Sequence, residues 1–271
     1  MTGWTPKLVA LDIDGTLLDW DAGGVEGGVV RPEVREAVAK AYDAGAHVVL
    51  ASGRSPHGMT IVADEIGIPR DGDRLWIVAS NGAVVLRYPP AEVVHEELFD
   101  ARPAVEAILA AHPQVLVAVE ERGVGYRLND HFPPGELNGD MIITPVAEIV
   151  AHPVSRVIIR DPQADRADFT EMGRRLGLNE ISYVVGFSAW LDIAAPGVSK
   201  ASGLAYVAEQ LDLAPADVLA IGDGSNDVEM LEWAGRGVAM GNAPDAVKAI
   251  ADAVTLSVDE DGAAVELRTW F

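Results

Sequence analysis

Short apolar runs that break off abruptly into acidic, hydroxyl or amide residues recur along this chain. They are KLVAL at 7–11, HVVLA at 47–51, LWIVA at 75–79 and VLAI at 218–221, followed respectively by Asp12, Ser52, Ser80-Asn81 and Gly222-Asp223. An uninterrupted apolar run of this length is the profile of a strand buried on both faces of a parallel sheet. Helical periodicity fills the intervals. Residues 32–44 open with Pro32 and stop at Gly45, and further helices are predicted at 56–66, 200–211, 226–234 and 244–251, with strands at 237–239 and near 253–256. Alternating strands and helices predict an α/β fold with a Rossmann-like parallel sheet.

From about residue 84 the rhythm changes. VVLRY, VVHEELF, QVLVAVEE, GYRLN, SRVIIRD and ISYVVGFSAWLDIA read as strands, interrupted by amphipathic helices near 102–111 and 165–176. Such a segment predicts an inserted α+β domain of ordinary size. After Pro196-Gly197 the first rhythm resumes. The expected division is a core of residues 1–82 and 196–271 and an insertion of residues 83–195, with the tail 257–271 left unassigned.

Composition narrows the chemistry. At 271 residues, one large domain or two modest ones are possible. A net charge of −22 at pH 7 disfavours nucleic acid and anionic membrane as partners, since both select basic surfaces. The same field repels phosphate esters at long range, so a phosphate site here must create its positive potential locally, with a cation and a few basic residues. There is no cysteine, which excludes disulfides and thiolate metal sites. The opening MTGWTPKLVALDIDG lacks the pattern of a signal segment and no apolar run reaches membrane-spanning length, so a soluble cytoplasmic protein is expected.

In open α/β sheets ligands collect at the carboxyl ends of the strands, which is where Asp12-Ile13-Asp14-Gly15-Thr16 falls. A solvated turn would also favour Asp and Gly. A calcium loop would need a third acidic or amide ligand, then glycine at its sixth position and glutamate at its twelfth, where this chain has Thr16, Leu17 and Gly23. The glycine fingerprint of dinucleotide binding after the first strand is absent. Phosphoryl transfer, by contrast, requires a nucleophile, a metal, donors for the equatorial oxygens and a proton donor. Asp12 can attack phosphorus, Asp14 can act as acid and base, Asp12 and Asp223 can hold Mg2+, and Thr16, Ser52 and Lys200 can bind the transferred oxygens.

This ordered set resembles the haloacid dehalogenase superfamily of phosphatases. DIDGT, the Ser52 strand end, Lys200 and GDGSND match its motifs in order over residues 12–227, and VSKASGL and Asn81-Gly82-Ala83 are similar to stretches of its Cof-type hydrolases. The resemblance implies a large cap inserted after the second motif, closing over the sheet's carboxyl edge. It implies an aspartyl-phosphate on Asp12, with Asp14 protonating the leaving alcohol and then activating water. It implies Mg2+ held by the carboxylates of Asp12 and Asp223 and the backbone carbonyl of Asp14. Thr16, Ser52, Gly53, Arg54, Asn81 and Asn226 are then expected at the substrate, and Asp227 behind the metal or Lys200. Implied substrates are small phosphorylated metabolites, sugar phosphates or nucleotide-related monoesters; a phosphomutase or a non-catalytic metabolite-binding relative are the alternatives. Like charges would raise the Asp14 pKa and Mg2+ would lower it, and sequence leaves that balance open, as it does the oligomeric state.

The quieter residues read more simply. Arg54 can contact substrate or pair with a surface acid. Arg122, Arg127 and Arg156 can reach a second anionic group of the substrate but read first as a solvated face of the insertion. The histidines lack zinc-site spacing, and Trp76 and Trp190 read as packing residues. Gly241-Asn242-Ala243 resembles a family loop near the active site or, equally, a turn before a helix.

Overall fold

The computed structural model describes residues 3–19, 29–70, 72–121, 125–164, 182–185 and 190–271. The chain forms two compact units, residues 1–95 with 199–271, and residues 96–198.

The first unit is built on an eight-stranded sheet. β1 (Leu8–Leu11), β2 (His47–Ala51), β3 (Leu75–Ala79), β12 (Val218–Gly222), β13 (Arg236–Ala239) and β14 (Ala253–Val254) run parallel, in the order β14-β13-β12-β1-β2-β3. β1 lies in the middle, and all four of its residues are fully buried, as a strand flanked by partners and covered on both faces requires. β4 (Val84–Tyr88) turns back antiparallel on β3, and β5 (Glu92–Glu96) completes the edge. The expected boundary at 82/83 therefore falls before a hairpin that belongs to the core sheet. VVLRY follows a turn at Ser80–Gly82 that reverses the chain, and alternation alone could not assign it to one sheet or the other.

Helices cover this sheet. α1 (Pro32–Asp43) begins with proline at its first turn, where a missing N–H costs nothing, and buries Val34, Ala37, Val38 and Ala41 along one stripe. α2 (Pro56–Ile66) is capped by the Ser55 hydroxyl, which accepts from the Gly58 amide at 3.3 Å. The unassigned tail forms a 3-10 turn at Val258–Glu260 and a helix at Gly262–Leu267 that buries Ala263, Ala264 and Leu267.

The second unit has a six-stranded sheet containing β6 (Leu116–Glu121), β7 (Gly125–Leu128), β8 (Asp140–Ile143), β9 (Val157–Arg160), β10 (Ser182–Val185) and β11 (Trp190–Ala194), in the order β10-β11-β9-β6-β7-β8. It is antiparallel except where β7 meets β8. α3 (Arg102–Ala111) contributes Val105 and Ile108 to its core, and α4 (Val146–Ile149) contributes Ile149. Trp190 packs against a cluster of Ala118, Leu128 and Phe132, as expected of a packing residue. The helix predicted at 165–176, and Arg122, lie outside the described residues. Arg156 departs from its expected solvated role. It is buried, donating to Asp192 at 2.8 and 3.1 Å with a Glu120 oxygen 3.7 Å away. Its position just before β9 sets it between Asp192 on β11 and Glu120 on β6, and these carboxylates hold its cation. Arg127 remains partly exposed and pairs with Glu121. No helix among the described residues is long and apolar enough to cross a membrane.

Candidate active site

Register decides where the polar strand ends meet. Leu11 pairs with both Leu50 and Ile221, and Leu50 pairs with Ile77, so the four central strands end level. The backbone then continues the alignment: Asp12 N–H donates to Ile221, Ser52 N–H to Val78 and Asn81 N–H to Ser52, each at 3.0 Å. Asp12, Ser52, Asn81 and Asp223 thus emerge side by side from strands far apart in sequence.

Lys200 arrives from a helix. α5 (Lys200–Gln210) opens with a capping box in which Ser199 and Ser202 satisfy each other's backbone amides. A lysine in the first turn faces the positive end of the helix dipole, an unfavourable place for a cation. The cost is offset by carboxylates: Lys200 Nζ donates to Asp12 Oδ1 at 2.6 Å and to Asp227 Oδ1 at 2.5 Å, with its side chain wholly buried. Burial alone would lower the Lys200 pKa, but the two carboxylates outweigh it and hold the ammonium charged.

Three carboxylates crowd this ammonium. Asp12, Asp223 and Asp227 each place an oxygen within 4.8 Å of the others, and all three are buried. Burial, then the Asp227 charge, push the Asp12 carboxyl well above its ordinary range. The same causes push Asp223 up to about 7. Such a surplus of desolvated negative charge is what a divalent cation relieves. Asp227 is already committed, since Oδ1 accepts from Lys200 and Oδ2 accepts from the Asp223 and Gly224 amides at 2.9 and 2.8 Å. Asp12 and Asp223 are left as the carboxylates best able to turn to a cation. The donor set fits a divalent ion bound through oxygen.

Gly15 is forced by this crowding. Its φ is +81°, and a Cβ there would fall 2.2 Å from Asp223 Oδ2. Next to it the Thr16 hydroxyl is buried without a hydrogen-bond partner among the described residues, an arrangement that ordinarily calls for a ligand oxygen or a water. Ser52 Oγ accepts from the Arg54 amide at 3.2 Å. Asn226 Nδ2 donates to Asn81 Oδ1 at 2.9 Å, and Asn81 sits in the left-handed region at φ 53°. Gly53 lies close enough to Asn81 that an added Cβ would come 3.1 Å from its Nδ2.

Arg54 is neither free toward a ligand nor paired with a stray surface acid. Its Nε donates to Asp14 Oδ2 at 2.8 Å and its Nη2 to Asp14 Oδ1 at 2.5 Å, a two-pronged pairing only partly exposed to solvent. Sequence reasoning also left Asn242 undecided between an active-site loop and a turn. Its amide reaches the site, donating to the Gly15 carbonyl at 2.9 Å and Asp223 Oδ2 at 3.1 Å. β12 lies between β13 and β1, and Asn242, just past the end of β13, reaches across the end of β12 to the loop after β1, so spacing alone offered no signal.

Comparison with known proteins agrees with this geometry. The model of the haloacid dehalogenase-like hydrolase family matches residues 9–267. Phosphatase YwpJ of Bacillus subtilis is 27% identical, over 95% of this chain and 97% of that protein. The 5-amino-6-(5-phospho-D-ribitylamino)uracil phosphatase YcsE of the same organism is 28% identical, over 97% of this chain and 95% of its own length. Among solved structures, BT1666 of Bacteroides thetaiotaomicron, from a study of haloalkanoate-superfamily phosphatases, superimposes with a TM-score of 0.78 at 27% identity, covering 99% of this chain and 96% of that one. A haloacid dehalogenase-like hydrolase of B. subtilis gives 0.80 at 25% identity, covering 98% and 100%. Strand-end carboxylates gathered around a buried lysine, on a chain matched almost end to end, make this protein a member of the haloacid dehalogenase-like hydrolases, a Cof-type phosphatase that hydrolyses phosphoric monoesters.

Proposed function

We propose that the protein is a Mg2+-dependent phosphatase that cleaves small phosphorylated metabolites, sugar phosphates or nucleotide-related monoesters, through an aspartyl-phosphate on Asp12. The observation that carries this reading is the buried Asp12 carboxylate, bonded to Lys200 and grouped with Asp223 and Asp227. Asp12 and Asp223, with the Asp14 carbonyl, would hold the magnesium ion, which when bound supplies charge stabilisation for the phosphoryl oxygens.

In this reading Asp12 attacks phosphorus and the ester oxygen leaves with a proton from Asp14. Asp14 then takes a proton from the water that attacks the acyl-phosphate, releasing inorganic phosphate and restoring both carboxyl groups. Lys200 orients Asp12 and offsets charge on the transferred group, while Thr16, Ser52 and Asn226 donate to its oxygens. Asp227 holds Lys200 and the loop at Asp223. Both Asp14 oxygens accept from Arg54, so an Asp14 that carries a proton must give up at least one of these bonds before delivering it. Relatives of similar length support this substrate class, one of them a 5-amino-6-(5-phospho-D-ribitylamino)uracil phosphatase.

A screen of phosphorylated metabolites scored by phosphate release tests this directly. Release that chelation abolishes and Mg2+ restores is the expected result. Phosphoryl return to a sugar, dependent on a bisphosphate activator, would instead make the enzyme a mutase, and specific metabolite binding without turnover would make it a binding protein.

A further inference from the structure

Asn242 ties together three segments: the loop after β1, the loop after β12 and the turn at Val258. Its Nδ2 donates both to the Gly15 carbonyl and to Asp223 Oδ2, at 2.9 and 3.1 Å, and its Oδ1 accepts from the Val258 amide at 2.9 Å. A side-chain amide has two faces of opposite character, an accepting oxygen and a donating nitrogen. The Val258 N–H can be met only by the oxygen, so the nitrogen is turned toward the loop after β1 and the carboxylate after β12. Val258 is itself fixed: its carbonyl accepts from Arg31 Nη2, the adjoining Asp259 carbonyl accepts from Arg31 Nη1 at 2.7 Å, and Arg31 pairs with Asp261 at 3.0 Å.

We propose that Asn242 is a positioning residue for the cation site. It holds the Asp223 carboxylate and the Gly15 peptide in fixed relation, and the C-terminal segment at Val258 sets the orientation of its amide. Asp223 is the member of the acidic group that most needs such a hold. Asp227 is locked by Lys200 and two backbone amides, and Asp12 is locked by Lys200. Asp223 Oδ2, by contrast, is reached by the Asn242 amide. A neutral donor at 3.1 Å steadies its ionised form without adding a competing cation. The proposal rests on Asp223 being a cation ligand, and its test separates the two ideas.

The test is Mg2+ binding to the intact protein, measured by calorimetry and by the rise in melting temperature, alongside urea unfolding of the metal-free form. Asp223→Asn should lose the binding outright. Asn242→Ala should bind Mg2+ roughly 10- to 100-fold more weakly, while its metal-free urea midpoint stays close to that of the wild type. Wild-type Mg2+ affinity in a variant whose metal-free stability has dropped would overturn the proposal, leaving Asn242 as a tether for the C-terminal segment. Undiminished binding in Asp223→Asn would overturn the ligand assignment itself. Should Asn242→Ala fail to fold, Val258→Pro removes the orienting N–H at the first position of the 3-10 turn, together with the buried valine side chain: weakened Mg2+ binding beside a Val258→Ala control that binds normally supports the proposal, and wild-type binding contradicts it.

Discussion

Asp12 Oδ1 accepts a hydrogen bond from Lys200 Nζ at 2.6 Å, in a place where neither side chain has appreciable contact with solvent. Removing the ammonium would strand two buried carboxylates. Lys200→Met is therefore expected to cost roughly 3–5 kcal/mol in the metal-free protein, read from urea unfolding, and to abolish turnover. Adding Asp227→Asn to it should recover part of the stability, because one stranded charge is then neutralised. An unaltered urea midpoint in Lys200→Met would remove the ion pair from any account of the fold.

The Asp223 carboxyl gives the protein a pH signature. Its ordinary value is 3.8 and burial, followed by the Asp227 charge, raises it to about 7. Between those values the folded state holds the proton that the unfolded state has released. Its contribution to stability is complete below about pH 4 and is lost as pH rises through about 7, by linkage. Metal-free wild type should lose on the order of a few kcal/mol relative to Asp223→Asn between about pH 4 and pH 8. Saturating Mg2+ should remove the difference in slope, since it replaces the proton. Parallel pH profiles for the two metal-free proteins would contradict the assignment.

Gly15 and Gly45 form a matched pair of substitutions. Both have positive φ, +81° and +91°, but a Cβ on Gly15 meets Asp223 at 2.2 Å whereas one on Gly45 meets nothing within 4 Å. Gly45→Ala is expected to cost about 1 kcal/mol from its backbone alone and to keep normal activity. Gly15→Ala should also raise the Mg2+ concentration needed for half-maximal activity by roughly tenfold or more. Equal kinetics in the two variants would mean that the Gly15 contact does not matter to the site.

Asp14 and Arg54 should differ in kind. Asp14→Ala removes the proposed acid and base and is expected to lower kcat by roughly 10²–10⁴. In the first step the loss should be smaller for an aryl phosphate, whose leaving group needs little protonation, than for an alkyl phosphate. Arg54→Ala removes only the clamp on Asp14 and should cost less than Asp14→Ala on either substrate. A larger effect from Arg54 would assign it direct contact with the substrate.

Sequence was most informative where chemistry and local structure coincide. Asp12, Ser52, Asn81 and Asp223 stand where apolar runs stop, and level strand ends bring them together. Lys200 was recognisable from its motif, and its place in a first helical turn is unfavourable unless carboxylates await it. Arg54 and Asn242 were harder, because each bonds to partners in loops that follow other strands, Asp14 for one and Gly15 with Asp223 for the other. The hairpin of β4 and β5 was misplaced because apolar alternation is identical on either side of a domain boundary. Arg156 was misjudged because a buried arginine and an exposed one look alike until Asp192 and Glu120 are seen beside it.

The central claim is a covalent phosphoryl group on Asp12. Quenching the enzyme in acid during turnover of a radiolabelled phosphate ester, then mapping the labelled peptide, measures it most directly. The expected result is acid-stable, base-labile label on the peptide containing Asp12, converted to homoserine at position 12 by borohydride and absent from Asp12→Asn. Sustained phosphate release by freshly prepared Asp12→Asn, or label confined to another residue, would contradict the account.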